Sequence, residues 1–336
     1  MKFSTSQSTD LDYSTIYIEP QYSEVSSRQQ VSTNTHIGPL TLKVPVISAN
    51  MDTVTDGAMA LAMHNAGAIG GIHRFMTIED NVKEFEKVIS SPTFVSIGVN
   101  EESKERFKEL LKAGASYFII DIAHGHSVMM KNILEWIRGE YGNQPYIAAG
   151  NIATPQGAED LLVWGADAVK IGIGPGKVCS TKNVTGVTVP QASAVYEVCK
   201  IKHSYDKTAS GYKPIFIADG GVTEIGDIAK ALGLGADLVM CGSLFAGAKE
   251  APGARVNGKK VYRGMASKDA MLTIKEDKNL PTPEGLSTLI DDTDRPVSEI
   301  VSHIQGGLRS SFSYSNSRTL AEFQKNCIIG SRKGKL

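Results

Sequence analysis

The chain has 336 residues, with 35 basic against 36 acidic side chains and a formal net charge of −1. That length is long for one domain but suits an α/β barrel with insertions, and it can bury a large core. The balanced charge offers no polyelectrolyte footprint for nucleic acid or an anionic membrane, and no apolar run approaches a membrane span.

The N-terminal stretch Met1-Lys2-Phe3-Ser4 is too polar for a signal peptide. Four cysteines, Cys179, Cys199, Cys241 and Cys327, are widely spaced, with no CxxC pair and no histidine partners for zinc. The expectation is a reducing, cytoplasmic setting. The first apolar strand is predicted at 44–48 and runs into Ala49-Asn50-Met51-Asp52-Thr53. Beyond it lies a weak repeat. Four times a helix-like stretch ends in Gly-Ala or Ala-Gly-Ala and enters a short apolar strand, at 66–72, 113–120, 165–171 and 235–240. Glycine closes a helix in the left-handed conformation, and alanine then lets helix and strand pack closely. Further strands are predicted at 94–99, 146–149 and 215–218, with helices at 78–89, 101–113, 155–164 and 189–200. Eight continuous apolar strands alternating with helices predict an α/β fold of the (β/α)8 TIM-barrel type, taken as one domain over 1–336.

Two connections exceed what a barrel needs: 172–213 after strand six, and 242–336 after strand eight. Within the second, 272–294 is polar, carries two prolines and has little helical periodicity. It reads as a mobile flap over the barrel mouth, with a disordered surface insertion as the alternative.

Catalytic groups of such a barrel stand on the loops after its strands. Strand four delivers Asp121-Ile-Ala-His-Gly-His-Ser, strand five Gly150-Asn151, strand seven Asp219-Gly220-Gly221 and strand eight Cys241-Gly242-Ser243. After strand six, three glycines and a proline fall within five positions ahead of Cys179, which Ser180 and Thr181 follow. A thiol on such a loop suits a nucleophile; the same stretch also suits a tight turn with Cys179 as a small buried hydrophobe. Cys199 and Cys241 read as packing residues. The glycines after strands seven and eight suit a phosphate cradle. Asp219 stands where it accepts both hydroxyls of a ribose or, equally, caps the next helix. Taken alone, Glu284 is one more solvated acid.

Several motifs occur together: Pro20-x-x-Ser23-x-Val25-x-Ser27-Arg28, Met51-Asp52-Thr53-Val54 and Gly-Ile-Gly-Pro-Gly-x-x-Cys at 172–179. With them stand Ala-Asp-Gly-Gly at 218–221, Cys-Gly-Ser-Leu-Phe-Ala-Gly at 241–247 and Tyr-Arg-Gly-Met-Ala-Ser at 262–267. In this order, over nearly the whole chain, the sequence resembles the IMP dehydrogenase/GMP reductase family. The resemblance implies a purine nucleotide joined through C2 to Cys179 and a nicotinamide cofactor exchanging hydride at that carbon. It implies that Gly221, Gly242, Ser243 and Tyr262 hold the phosphate and Asp219 the ribose, with Met51, Gly264 and Met265 also on the nucleotide. Lys177 is either a point charge for the phosphate or a solvent-facing lysine. Asp121, Ala123, His124 and Asn151 are assigned to the cofactor. A homotetramer and a monovalent cation such as K+ near Gly174, Gly176 and Cys179 are further implications.

Within the family the sequence leans to the reductase branch. The family's dehydrogenases carry an Arg-Tyr pair in the flap that activates water, and no arginine or tyrosine lies between Met265 and Asp294 here. Asn50 replaces a proline typical of dehydrogenases, Lys177 replaces their serine, the loop after Asp121 has the reductase form, and no CBS modules follow strand two. Thr181 and Glu284 match the reductase dyad, a relay that protonates departing ammonia. Ala266 and Pro281 depart from the reductase pattern. The implied activity is NADPH-dependent reductive deamination of GMP to IMP. The alternative is an IMP dehydrogenase without CBS domains, oxidising IMP to XMP with NAD. A catalytically silent nucleotide-binding regulator and a flavin-dependent barrel oxidoreductase are readings from other classes.

Overall fold

The eight apolar runs become the staves of one closed parallel barrel in the computed structural model, which describes residues 2–3, 11–274 and 282–332. The strands are β1 (Val46–Ser48), β2 (Ile69–Ile72), β3 (Phe94–Ile97), β4 (Tyr117–Asp121), β5 (Tyr146–Ile152), β6 (Ala168–Ile171), β7 (Ile215–Asp219) and β8 (Leu238–Cys241). Each pairs with its sequence neighbours, and β8 returns to β1 through Met240 opposite Ile47. Both faces are covered, which is why the strands read as continuous apolar runs rather than alternating ones. The outer ring comprises α1 (Gly57–Asn65), α2 (Ile78–Glu86), α3 (Glu101–Lys112), α4 (Val128–Tyr141), α5 (Pro155–Val163), α6 (Gln191–Cys199), α7 (Ile225–Gly233) and α8 (Val297–Tyr314). The last of these packs on both α7 and α1 and so closes the ring. Side chains of Asp56, Thr77, Asn100, Ser127 and Thr154 accept first-turn amides at the starts of α1 to α5.

The repeat has a geometric cause. Gly67, Gly114, Gly165 and Gly235 all adopt positive φ, between 84° and 114°. The alanine after each donates its amide back to the preceding helix, as from Ala68 to Met63 and from Ala166 to Leu161. This closure ends the helix and aims the chain into the next strand. In two of the repeats an aspartate follows and staples the strand beside it. The Asp167 carboxylate accepts the Ile147 amide (2.8 Å) and Arg138 (2.7 Å), and the Asp237 carboxylate accepts the Phe216 amide (3.0 Å). Asp167 is fully buried and also takes Thr208 and the Ser210 amide. Asp167→Ala is therefore expected to lower stability by about 3–5 kcal/mol, because it strands a half-buried arginine and several donors. Chemical denaturation checks this, with nucleotide affinity unchanged because the staple lies at the end of β6 away from the mouth.

Three features lie outside the sequence-based expectation. A hairpin, Thr35–Ile37 with Leu40–Leu42, closes the lower end of the barrel, its Thr35 hydroxyl donating to the Asp237 carbonyl (2.9 Å). Ile328–Ser331 pairs with Ile16–Ile18 and with Lys2–Phe3, tying the two ends of the described chain together. Beyond β8, strand β9 (Lys259–Arg263) pairs antiparallel with β10 (Ser287–Asp291). The segment 272–294, expected as a flap, thus ends in a strand, while 275–281, with Pro281, lies outside the described residues. The polar, mostly exposed β10 has no apolar run to reveal it, and its partner lies well upstream. No helix among the described residues is long and apolar enough to cross a membrane.

Candidate active site

The loop leaving β6 is shaped by backbone contacts that only glycine allows. A Cβ on Gly172, at φ 151°, would lie 2.0 Å from the Asp219 carbonyl oxygen, so the loops after β6 and β7 touch there. Gln191, on α6, bridges the same loops by donating to the carbonyls of Ile171 (2.8 Å) and Asp219 (3.1 Å). The Cys179 amide then donates to the Gly176 carbonyl (3.0 Å), a turn that leaves the thiol partly exposed at the mouth.

The segment around Glu284 meets this loop directly. The Ser180 amide donates to the Glu284 carbonyl (2.8 Å), the Leu286 amide to Val178 (2.9 Å) and the Glu284 amide to Ala266 (3.0 Å). With Glu284 so held, its Oε2 accepts the Thr181 hydroxyl at 2.8 Å, and Thr181 Oγ1 lies 3.3 Å from Cys179 Sγ. Thiol, hydroxyl and carboxylate form one continuous proton path. Burial pushes the Cys199 and Cys241 thiols far up and that of Cys327 to about 12, leaving all three inert. The role of Gly285 is steric. A Cβ there would come 2.6 Å from the Ser267 amide nitrogen. Gly285→Ala is expected to displace Glu284 and lower kcat by about 10²-fold with little change in nucleotide affinity; steady-state kinetics beside a binding isotherm checks it.

A cavity of about 600 Å³ opens over this path. Of the residues expected on the nucleotide, Met51, Asp219, Gly242, Tyr262, Gly264 and Met265 line it, beside Cys179, Thr181 and Glu284. Gly242 is steric too, since a Cβ there would lie 2.6 Å from the buried Tyr262 hydroxyl. Met51 and Met265 are drawn together by an Arg263–Asp52 ion pair and by the Asp52 amide, 3.3 Å from Met265 Sδ. Gly221 (φ 78°) and Ser243 stand behind the lining: Gly221 faces Gln191 and Pro175, and Ser243 Oγ donates to the Val222 carbonyl (3.3 Å). Lys177 is exposed and outside the lining, which favours its solvent-facing reading. Asp219 is not a helix cap, because Glu224 occupies that position for α7.

Of the residues expected on the cofactor, Asp121, Ala123 and Asn151 line the cavity, whereas His124 is exposed beyond it. The cavity continues to Arg74, Phe75 and Met76. Arg74 Nε and Asn151 Oδ1 are buried with no hydrogen-bond partner among the described residues. Such orphaned polar atoms beside an apolar wall fit an extended polar cofactor. Of the loop carbonyls assigned to a cation, that of Gly176 already accepts the Cys179 amide, which leaves one lone pair for a further contact. Lys170 went unrecognised in the sequence. It is 1% exposed inside the barrel, 2.8 Å from Asp121 Oδ1 and 2.7 Å from Asp219 Oδ2. Its only signal was a single lysine in an otherwise apolar strand.

The chain is similar to known proteins over nearly its whole length. A family model described as the IMP dehydrogenase / GMP reductase domain matches residues 10–333. The GMP reductase of Mesoplasma florum is 38% identical over 94% of this chain and 95% of its own length. The inosine-5'-monophosphate dehydrogenase of Borreliella burgdorferi is 34% identical over 90% of this chain and 88% of its own. A GMP reductase variant from Trypanosoma brucei, solved with guanosine 5'-monophosphate, superposes with a TM-score of 0.90 at 27% identity, covering 98% of this chain and 96% of that one. With the match running almost from end to end, the chain belongs to the IMP dehydrogenase/GMP reductase family of oxidoreductases, which use a nicotinamide cofactor.

Proposed function

We propose that the protein is a GMP reductase that converts GMP to IMP and ammonia at the expense of NADPH. The carrying observation is the unbroken path from Cys179 Sγ through Thr181 Oγ1 to Glu284 Oε2, at 3.3 and 2.8 Å. Dehydrogenation ends by hydrolysing a covalent adduct and needs a base for water. Reduction begins by expelling ammonia and needs an acid for a leaving nitrogen. This site offers a carboxyl relayed by a hydroxyl, and no arginine or tyrosine lies between Met265 and Asp294. Both kinds of relative match at similar identity, so the relay is the feature that favours reduction.

In this reading the thiol proton passes through Thr181 to Glu284, and the thiolate attacks C2 of the guanine base. The same proton returns through Thr181 to the C2 amine, which leaves as ammonia. When bound, the nicotinamide cofactor supplies hydride to C2. Cys179 then departs with the electrons of the C–S bond, which releases IMP. Asp219 holds the ribose, Gly242 and Tyr262 border the phosphate, and Asp121, Ala123 and Asn151 lie along the cofactor. The preference for NADPH rests on the family resemblance. The test is spectroscopic: GMP-dependent loss of NADPH absorbance is expected, and IMP-dependent formation of NADH instead would replace this reading with the dehydrogenase.

A further inference from the structure

Lys170 is a charged side chain in the barrel interior to which the proton path gives no task. Its strand, β6, lies between β5 and β7, and Gly150 opposite it is required by contact, because a Cβ there would come 2.6 Å from Lys170 Cβ. The ammonium bonds to Asp121 of β4 (2.8 Å) and Asp219 of β7 (2.7 Å), with Met240 Sδ of β8 at 3.8 Å. Asp219 Oδ2 also accepts Asn151 Nδ2 of β5 (2.9 Å), whose amide donates as well to the Gly172 carbonyl (2.7 Å). Five consecutive strands therefore meet at one buried cation.

Burial by itself pushes Lys170 down, toward its neutral form. Asp121 and Asp219 outweigh that and hold it above its ordinary value. Burial likewise pushes Asp121 up, but Lys170 and then Arg74 bring it below the usual carboxylate range. The charged groups facing Asp121 are these two cations, with Asp219 across the shared ammonium.

We propose that Lys170 is a positioning residue that holds Asp219 of the nucleotide subsite and Asp121 of the cofactor subsite in one rigid array, so that a single side chain sets both subsites. The inference rests on the proposed assignment of Asp219 to the ribose and Asp121 to the cofactor. Each carboxylate spends one oxygen on the ammonium and is thereby oriented in the cavity wall. Without the cation two partly buried carboxylates repel each other, and at Asp121 burial weighs more heavily against the charge.

Calorimetric GMP titrations and NADPH titrations across about pH 6–9 test this in Asp219→Asn, Asp121→Asn, Lys170→Met and the double variant Lys170→Met/Asp121→Asn. Asp219→Asn is expected to weaken GMP alone and Asp121→Asn to weaken NADPH alone. Lys170→Met is expected to weaken both by at least about tenfold. Its NADPH loss should be deepest near pH 6 and recover toward pH 9, as Asp121 gives up the proton it took on. A loss equal at every pH would mark general damage to the barrel and overturn the proposal, as would wild-type binding of both ligands. An Asp219→Asn protein with normal GMP affinity would sink the ribose assignment itself, and this proposal with it. Where Lys170→Met fails to fold, the double variant removes one charge of each sign. It should bind GMP at least about tenfold more weakly than Asp121→Asn alone, and equal affinity would overturn the role.

Discussion

Replacing Cys179 with alanine is expected to lower kcat by roughly 10⁴-fold or more while GMP binding survives. Alanine deletes one sulfur and leaves the loop intact, because the loop is held by backbone contacts: the amides of Cys179, Ser180 and Leu286 and the glycine at 172. No other thiol is able to substitute. Cys199, Cys241 and Cys327 are buried, and burial holds each far above the range in which a thiolate forms. Single-turnover mixing of GMP and NADPH beside a GMP isotherm is the measurement. Turnover near that of the wild type would remove Cys179 from the chemistry, whereas loss of GMP affinity together with turnover would mean that the loop had collapsed.

The second large effect belongs to Glu284. Glu284→Gln keeps an oxygen to accept the Thr181 hydroxyl but has no proton to lend, and kcat for GMP reduction is expected to fall by roughly 10²- to 10⁴-fold. Thr181→Val interrupts the same path at its middle and should cost a similar factor. Because the two groups act in series, the double variant should be little worse than the slower single one. Multiplicative losses would mean that Thr181 and Glu284 serve different steps. GMP affinity should hold in all three variants, since neither group is assigned to the phosphate or the ribose. Without that split between kcat and binding, the acid role would not stand.

Much of the fold was legible in the sequence because its cause is local. A strand buried on both faces has to be a short apolar run, and a helix that turns directly into such a strand has to end on a residue free to take positive φ. Gly67, Gly114, Gly165 and Gly235 with the alanines after them announce four of the eight units in that way. By contrast, β10 is polar and mostly exposed, and its pairing with β9 is a long-range backbone event that leaves no periodicity. The hairpin at the lower end of the barrel is equally silent, its role depending on contacts with Asp237 and Tyr146 far along the chain.

The site divides along the same line. Residue chemistry and spacing drew attention to the Cys179 loop and linked the chain with its family, and only through that resemblance did Thr181 and Glu284 become candidates. They also placed on one list some residues that the fold separates. His124 and Lys177 belong to the right loops, yet their side chains stand outside the cavity, and a loop assignment says nothing of which way a side chain faces. The reverse happened at Lys170, where a lysine among apolar neighbours looked incidental until two aspartates from other strands arrived within 2.8 Å. By itself, then, the sequence determined the eightfold alternation and the family, since each follows from short local runs and motifs, and it offered Cys179 as the candidate thiol. Only the tertiary structure decided that Glu284 reaches Thr181 and that Lys170 joins Asp121 to Asp219. Those contacts join residues far apart in the chain, and the barrel closure and flap pairing that bring them together depend on packing rather than on any local pattern.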